Sequence, residues 1–160
     1  MQFEIQPRSY DDPDVARMVE EVQAEYVLRY GGPDETKVDA AEFAPPDGLF
    51  LVGLLDGVPV ATGGWRRLAD GRAEIKRMYV SASARRQGLS RRLLAELERT
   101  AAAAGFRQVV LNTGPAQPEA VALYEQSGYL PVPPFGHYAC HPNALFFGKA
   151  LEVAIPATGR

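Results

Sequence analysis

The stretch Ala73-Glu74-Ile75-Lys76-Arg77-Met78-Tyr79-Val80, followed by Arg85-Arg86-Gln87-Gly88-Leu89-Ser90, decides the reading of this chain. The first run reads as a strand. The residues after Gly88 place Leu89, Leu93, Leu94, Leu97 and Ala101 at helical spacing, so an amphipathic helix begins there. A strand that feeds a glycine turn and then a helix leaves the first backbone N–H groups of that helix without partners. The helix dipole adds partial positive charge at the same point, which makes the turn an anion site. Arg85, Arg86, Arg91 and Arg92 surround it. Cations are unfavourable at a helix N-terminus, and a bound anion removes that conflict. The expected partner of the turn is a phosphate group.

Outward from this turn the chain alternates strands and helices. Phe3 to Arg8 alternates apolar and polar residues and predicts a first strand. Asp11, Asp12 and Pro13 open a helix that runs to about Leu28 and stops at Gly31-Gly32-Pro33. Residues 33 to 47 are polar, acidic and proline-containing, and predict a loop with or without a short helix. Leu49 to Asp56 and Val58 to Arg67 predict two strands of a hairpin turning at Asp56-Gly57. Gly63-Gly64 within the second predicts a bulge or a close backbone approach. Asp70-Gly71 predicts another such turn, before a strand from Arg72 to Ser81. The helix after Gly88 ends at Gly105. Phe106 to Asn112 predicts a strand, Pro118 to Gln126 a helix closed by Gly128, residues 129 to 143 a loop, and Ala144 to Leu151 a last strand. The residues beyond it are expected to fray. The fold class is therefore α/β, layered, with helices covering a sheet in one domain over residues 1–160. The turn at Gly88 follows a strand's carboxyl end, where open α/β sheets place ligands.

Composition narrows the function classes. The chain has 160 residues, 46% of them hydrophobic and 23% charged, as in a globular protein with a substantial core. A net charge of −3 argues against nucleic acid as the partner; the positive charge is local, so the anion is small. A single cysteine, Cys140, allows no internal disulfide, which fits a reducing compartment. Glu4 and Arg8 interrupt any apolar leader, and the longest apolar run, Gly48 to Leu55, is too short to span a bilayer. No membrane association and a cytoplasmic location are the expectations.

Two motifs now carry a resemblance. Arg85-x-x-Gly88-x-Ser90 resembles the Gln/Arg-x-x-Gly-x-Gly/Ala phosphate loop of the GNAT superfamily of acyl-CoA N-acyltransferases. Gln117-Pro-Glu-Ala120-Val-Ala-Leu123-Tyr124-Glu-Gln-Ser-Gly128-Tyr129 resembles the second signature of that superfamily, Asn-x-x-Ala-x-x-Leu-Tyr-x-x-x-Gly-Phe. The two occur in the expected order with a strand between them, and the likeness covers roughly residues 49 to 150. Two positions depart from the pattern. Ser90 replaces Gly or Ala and stays small; Gln117 replaces Asn and offers an amide one methylene longer.

The resemblance implies a central mixed, mostly antiparallel sheet of six to seven strands, and acetyl-CoA as cosubstrate with no metal. It implies that Arg85, Arg86, Gln87, Gly88, Leu89 and Ser90 hold the diphosphate, with Arg91 as a further contact. Met78, Tyr79 and Val80 run beside the pantetheine arm, and a backbone N–H of that strand polarises the thioester carbonyl. Asn112 and Gln117 add cofactor contacts. Tyr124 is implied as the general acid for the leaving thiolate, although packing alone also explains a tyrosine on a helix. Glu74 is the candidate base, directly or through water; the plainer reading pairs it with Lys76 or Arg72. The acceptor is a small-molecule or peptide amine. The acids Asp34, Glu35, Asp39, Glu42 and Asp47 with Tyr26, Tyr30 and Phe43 border it in that superfamily and suit a cationic amine, while a solvated loop is an equal reading.

Other features carry less. His137, Cys140 and His141 cluster in a loop without a fourth ligand, so no metal is expected; His137 or Tyr138 lines the acceptor pocket instead. Cys140 has no base placed for it and is not expected to be a nucleophile. Trp65 is expected to pack in or over the core. A non-catalytic acyl-CoA sensor module is the alternative to an enzyme. Monomer and homodimer both remain open.

Overall fold

The strand that precedes the glycine turn lies at the centre of the sheet, with three strands on either side of it. The computed structural model describes residues 2–152, so the tail expected to fray lies outside the described residues. The elements run β1 (Phe3–Pro7), α1 (Pro13–Tyr30), a 3-10 turn (Ala40–Phe43), β2 (Gly48–Leu55), β3 (Val58–Arg67), β4 (Ala73–Val80), α2 (Leu89–Ala103), β5 (Gln108–Thr113), α3 (Pro118–Gln126), β6 (Leu130–Pro131) and β7 (Leu145–Ala150). A second 3-10 turn, Ala82–Ala84, joins β4 to α2.

The seven strands form one sheet in the order β1-β2-β3-β4-β5-β7-β6. Every neighbouring pair is antiparallel except β4 and β5, which run parallel. The expected mixed, mostly antiparallel sheet flanked by helices is what the chain forms. The expected loop over residues 129 to 143 contributes one short strand, β6, to the sheet edge.

Alternation along the strands sorts apolar side chains to two faces. Leu51, Ala61 and Trp65 face α2, where Leu89, Leu93, Leu94, Leu97 and Ala101 complete the larger apolar cluster. Phe50, Val52 and Leu54 face the other way and pack with Val15 of α1 and with Phe43. Trp65 belongs to the core and donates its indole N–H to Thr100 Oγ1 at 3.0 Å.

Local chemistry explains the element ends. Asp12 caps α1 by accepting from the N–H of Asp14, and Gly31 closes the helix in the left-handed conformation, at φ 82°. Asp56 and Gly57 both have positive φ, as a two-residue hairpin turn requires. At Asp70-Gly71 only Gly71 does; its N–H reaches Leu68 O, so this connection is wider than the first.

The feature that matters most for function is a bulge. Thr62 pairs with Tyr79 and Gly64 with Lys76, so Arg77 and Met78 together oppose Gly63. Gly63-Gly64 thus marks the site, but the additional residue is on β4, where Arg77 takes φ 61°. The glycines themselves serve close approach. A Cβ on Gly64 would sit 2.5 Å from the Phe50 ring and 2.9 Å from Leu49 O. On the opposite face, Gly63 makes room for Leu97 and Met78.

Candidate active site

Parallel pairing of β4 with β5 is limited to Ala73 with Val109 and Glu74 with Val110. Beyond those residues the strands part. A cavity of about 680 Å3 opens in the gap, walled by β4 from Ile75 to Met78, by β5 from Leu111 to Thr113, by the last turn of α1 and by α3. Tyr26, Arg29 and Tyr30 face it from α1, and Ala120 and Tyr124 from α3.

Tyr124 is a buried wall residue. Its ring is held among Tyr129 and Phe147, and its hydroxyl lies 3.9 Å from Met78 Sδ. Burial pushes its phenol well above the ordinary tyrosine range, so it stays protonated at neutral pH and has a proton to donate. It thus sits beside Met78 where β4 and β5 separate.

The turn before α2 has the features of an anion cradle. Gly88 is the N-cap residue at φ 75°, and no side chain caps the helix. Arg86 also has positive φ, at 66°, so the turn alternates conformations in the manner of backbone nests that bind anions. Arg86, Gln87 and Gly88 are exposed, Ser90 is half-buried, and Leu89 buries its side chain in the core while leaving its N–H at the helix start.

The arginines around that turn divide. Arg85 donates to Val80 O at 2.9 Å and to Glu25 Oε1 at 2.6 Å, tying the end of β4 to α1. Arg91 reaches Gln126 and Arg92 lies over the Phe3 ring. Among the described residues Arg85 alone of the four is paired with a carboxylate, and Arg86 makes neither an ion pair nor a side-chain hydrogen bond.

The remaining sequence candidates fall as follows. Met78 and Asn112 line the cavity; Tyr79 and Val80 do not, Tyr79 donating to Glu21 Oε1 at 3.2 Å while Val80 packs in the core. Gln117 lines the cavity and its Oε1 accepts from Tyr30 OH at 2.8 Å, joining α3 to α1. Glu74 lies outside the cavity wall. It pairs with neither Lys76 nor Arg72; its Oε1 accepts from Arg66, at 3.0 Å from both Nε and Nη2. Among the described residues no group of three or more His, Cys, Asp or Glu is placed to hold a metal. Tyr138 and His141 line the cavity, while His137 does not and Cys140 is exposed.

One cluster joins residues far apart in the sequence. Asp34 Oδ2 accepts from Lys76 Nζ at 2.8 Å and from Arg77 Nη1, and its Oδ1 accepts from Tyr138 OH at 3.0 Å and from the Thr36 N–H at 2.9 Å. Burial works to raise the Asp34 carboxyl, but Lys76 and Arg77 outweigh it and hold the group well below the usual carboxylate range. Consecutive strand residues normally point to opposite faces. The left-handed Arg77 breaks that alternation, so Lys76 and Arg77 meet on one carboxylate. The sequence signal for it is two adjacent cations in a strand whose other residues, Glu74 apart, are apolar or aromatic. Asp34 was among the acids expected to attract a cationic amine; its two oxygens are instead occupied by protein donors.

Comparison with known proteins agrees with this architecture. The model of the acetyltransferase (GNAT) family matches residues 15–129. An IAA acetyltransferase from Azospirillum brasilense is 35% identical over 138 residues, covering 86% of this chain and 90% of the relative. The crystal structure of a putative acyl-CoA N-acyltransferase from Klebsiella pneumoniae superposes with a TM-score of 0.79 at 26% identity, covering 94% of this chain and 99% of that one. The fold is shared by the PaiA N-acetyltransferase from Thermoplasma acidophilum in complex with coenzyme A, with a TM-score of 0.70 at 17% identity over 94% and 99% of the two chains. A glycine-capped helix opening onto an uncapped turn, a sheet that parts between β4 and β5, and a family match over most of its length make this chain a member of the GNAT acetyltransferase family, an acyl-CoA N-acyltransferase.

Proposed function

We propose that this enzyme moves an acetyl group from acetyl-CoA to an amine in a ternary complex, without a covalent enzyme intermediate. The observation that carries the proposal is Tyr124, buried in the wall where β4 and β5 part, with its hydroxyl beside Met78. The exchange forms one C–N bond, breaks one C–S bond and carries one proton from the amine to the sulfur. Acetyl-CoA supplies the activated thioester.

The chain's own residues perform the rest. The N–H groups from Gln87 to Ser90, with Arg86, hold the diphosphate at the positive end of α2. The main chain of β4 at Met78 to Val80 lines up the acyl arm, and Asn112 and Gln117 face it from β5 and the start of α3. A β4 N–H polarises the carbonyl, as an oxyanion donor does. Tyr124 gives its proton to the departing sulfur and regains one from solvent. Glu74, whose Oε1 is held by Arg66 and which does not itself line the cavity, acts as base through water. The amine proton therefore leaves through water.

Titration calorimetry with acetyl-CoA, followed by thiol release over a panel of amines, tests this reading. Binding with turnover supports it. Binding without turnover on any amine makes the chain an acyl-CoA sensor, and absence of binding refutes the reading altogether.

A further inference from the structure

The balance of charge around the cavity leads to the acceptor. Three cationic side chains are buried together on β3 and β4: Arg66 at 10% exposure, Lys76 at 6% and Arg77 at 4%. Among the described residues two carboxylates are buried with them, Glu74 at 5% and Asp34 at 11%. Glu42, the further partner of Arg66, is 45% exposed, so water screens its charge. Arg29, the other arginine of the wall, is bound to Glu119 and to Ala116 O. Arg66 has two carboxylates, Glu74 and Glu42, whereas Lys76 and Arg77 share the single carboxylate of Asp34, so at the cavity wall these two cations outnumber their acid by one. Burying an unbalanced charge is unfavourable, and a ligand that supplies the missing charge relieves it.

The hydrogen-bond inventory agrees. Asp34 accepts four bonds, the full complement of a carboxylate. Nothing remains on it for a substrate ammonium. Among the described residues Lys76 Nζ, with three N–H groups, has one partner, and Arg77 uses Nη1 on Asp34 and Nε on Tyr10. Both residues line the cavity. These two cations therefore keep N–H groups without a protein partner among the described residues, while the carboxylate they share is fully used. Glu35 is the other acid of the wall; its side chain is 73% exposed at the rim, near His137.

We propose that the acceptor is an amine that also bears a carboxylate, and that Lys76 and Arg77 hold that carboxylate in the cavity. This rests on the acyltransferase reading above. The two cations are specificity residues. Tyr26, Tyr30 and Tyr138 border the same space and give the acceptor's carbon skeleton an aromatic wall.

The test compares L-amino acids with the same residues as carboxamides, using acetyl-CoA and thiol release, with rates expressed per neutral amine because amidation also lowers the pKa of the α-ammonium group. The acids are expected to exceed the amides in kcat/KM by about tenfold or more, mainly through KM, because charge-assisted bonds are lost on amidation. Lys76→Gln should remove most of that preference while leaving acetyl-CoA affinity by calorimetry unchanged. A separate arm titrates 3-phenylpropionate, which has the carboxylate but no amine, into protein saturated with coenzyme A, following heat and melting temperature. Wild type should bind it and Lys76→Gln should bind it more weakly by a similar factor. Amides or polyamines turned over as well as acids would overturn the proposal. So would absence of binding by the carboxylate probe together with absence of turnover of every acid. Failure of acetyl-CoA itself to bind would refute the acyltransferase reading instead, and calorimetry reads that separately. The acid–amide comparison uses wild-type protein throughout, so a variant that folds poorly does not blunt it.

Discussion

Replacing Asp34 by asparagine keeps the shape of the side chain and removes its charge. The structure sets the size of the effect. Asp34 is 11% exposed, and its Lys76 and Arg77 partners are 6% and 4% exposed, so water does little to replace the lost carboxylate. Removing one member of a buried ion pair typically costs about 3–5 kcal/mol. A domain of this length loses about 2–4 °C of melting temperature per kcal/mol, so a drop of roughly 6–20 °C is expected. Urea unfolding at pH 7 measures the free energy directly. The pH dependence separates this cause from a packing defect. The folded carboxyl of Asp34 titrates below its unfolded value, so its stabilisation is present above about pH 4 and is lost as pH falls through the folded value. Wild type should therefore carry an acid limb that Asp34→Asn lacks. Lys76 behaves in the opposite sense. Burial lowers its folded pKa against the pull of Asp34 and Glu74, so its charge opposes folding until it is shed at alkaline pH. The variant should consequently regain part of its lost stability as pH rises toward the unfolded lysine value of about 10.4. A variant within about 1 kcal/mol of wild type at pH 7, with the same pH profile, would refute the view of Asp34 as the anchor of two buried cations.

Other substitutions probe other parts of the molecule. Tyr124→Phe should lower kcat by roughly 10²–10⁴ while acetyl-CoA affinity and melting temperature hold, since the hydroxyl has only a long contact to Met78 Sδ; steady-state kinetics with calorimetry checks the split. Gly88→Val places a β-branched residue at φ 75° in open space, so it should destabilise by about 1–2 kcal/mol through backbone strain and weaken acetyl-CoA binding, read by urea unfolding and calorimetry together. Gly64→Ala drives a methyl to 2.5 Å from the Phe50 ring and 2.9 Å from a backbone carbonyl, and should cost about 1–3 kcal/mol with no direct effect on cofactor affinity in the protein that remains folded; urea unfolding and calorimetry again separate the two.

Much of this architecture is legible in the residues because local chemistry and global fold agree. The Asp12-Pro13 start of α1, the Asp56-Gly57 hairpin and the leucine spacing of α2 each state their own geometry. The Gly88 turn is legible for the same reason: a glycine between a strand and an amphipathic helix has few other uses. The acid–base cluster in the cavity was not. Its members come from a loop at 34, a strand at 76 and 77 and a loop at 138, and only the β4 bulge brings them together. A bulge is a register event between two strands, which one strand's residues do not record. Glu74 illustrates the same limit, because its true partner, Arg66, sits across the sheet and eight residues upstream rather than at the nearby cations.

The parting of β4 from β5 leaves a further consequence. Two residue pairs stitch the halves of the sheet, β1–β4 and β5–β7, along their parallel seam. Past that stitch the molecule owns an interior strand margin, shielded from pairing with other chains, where an extended guest finds main-chain groups already oriented. Recognition built on main chain tolerates wide drift in side-chain identity. With the acyl donor held there as proposed, selection is free to rewrite the surrounding residues for new acceptors.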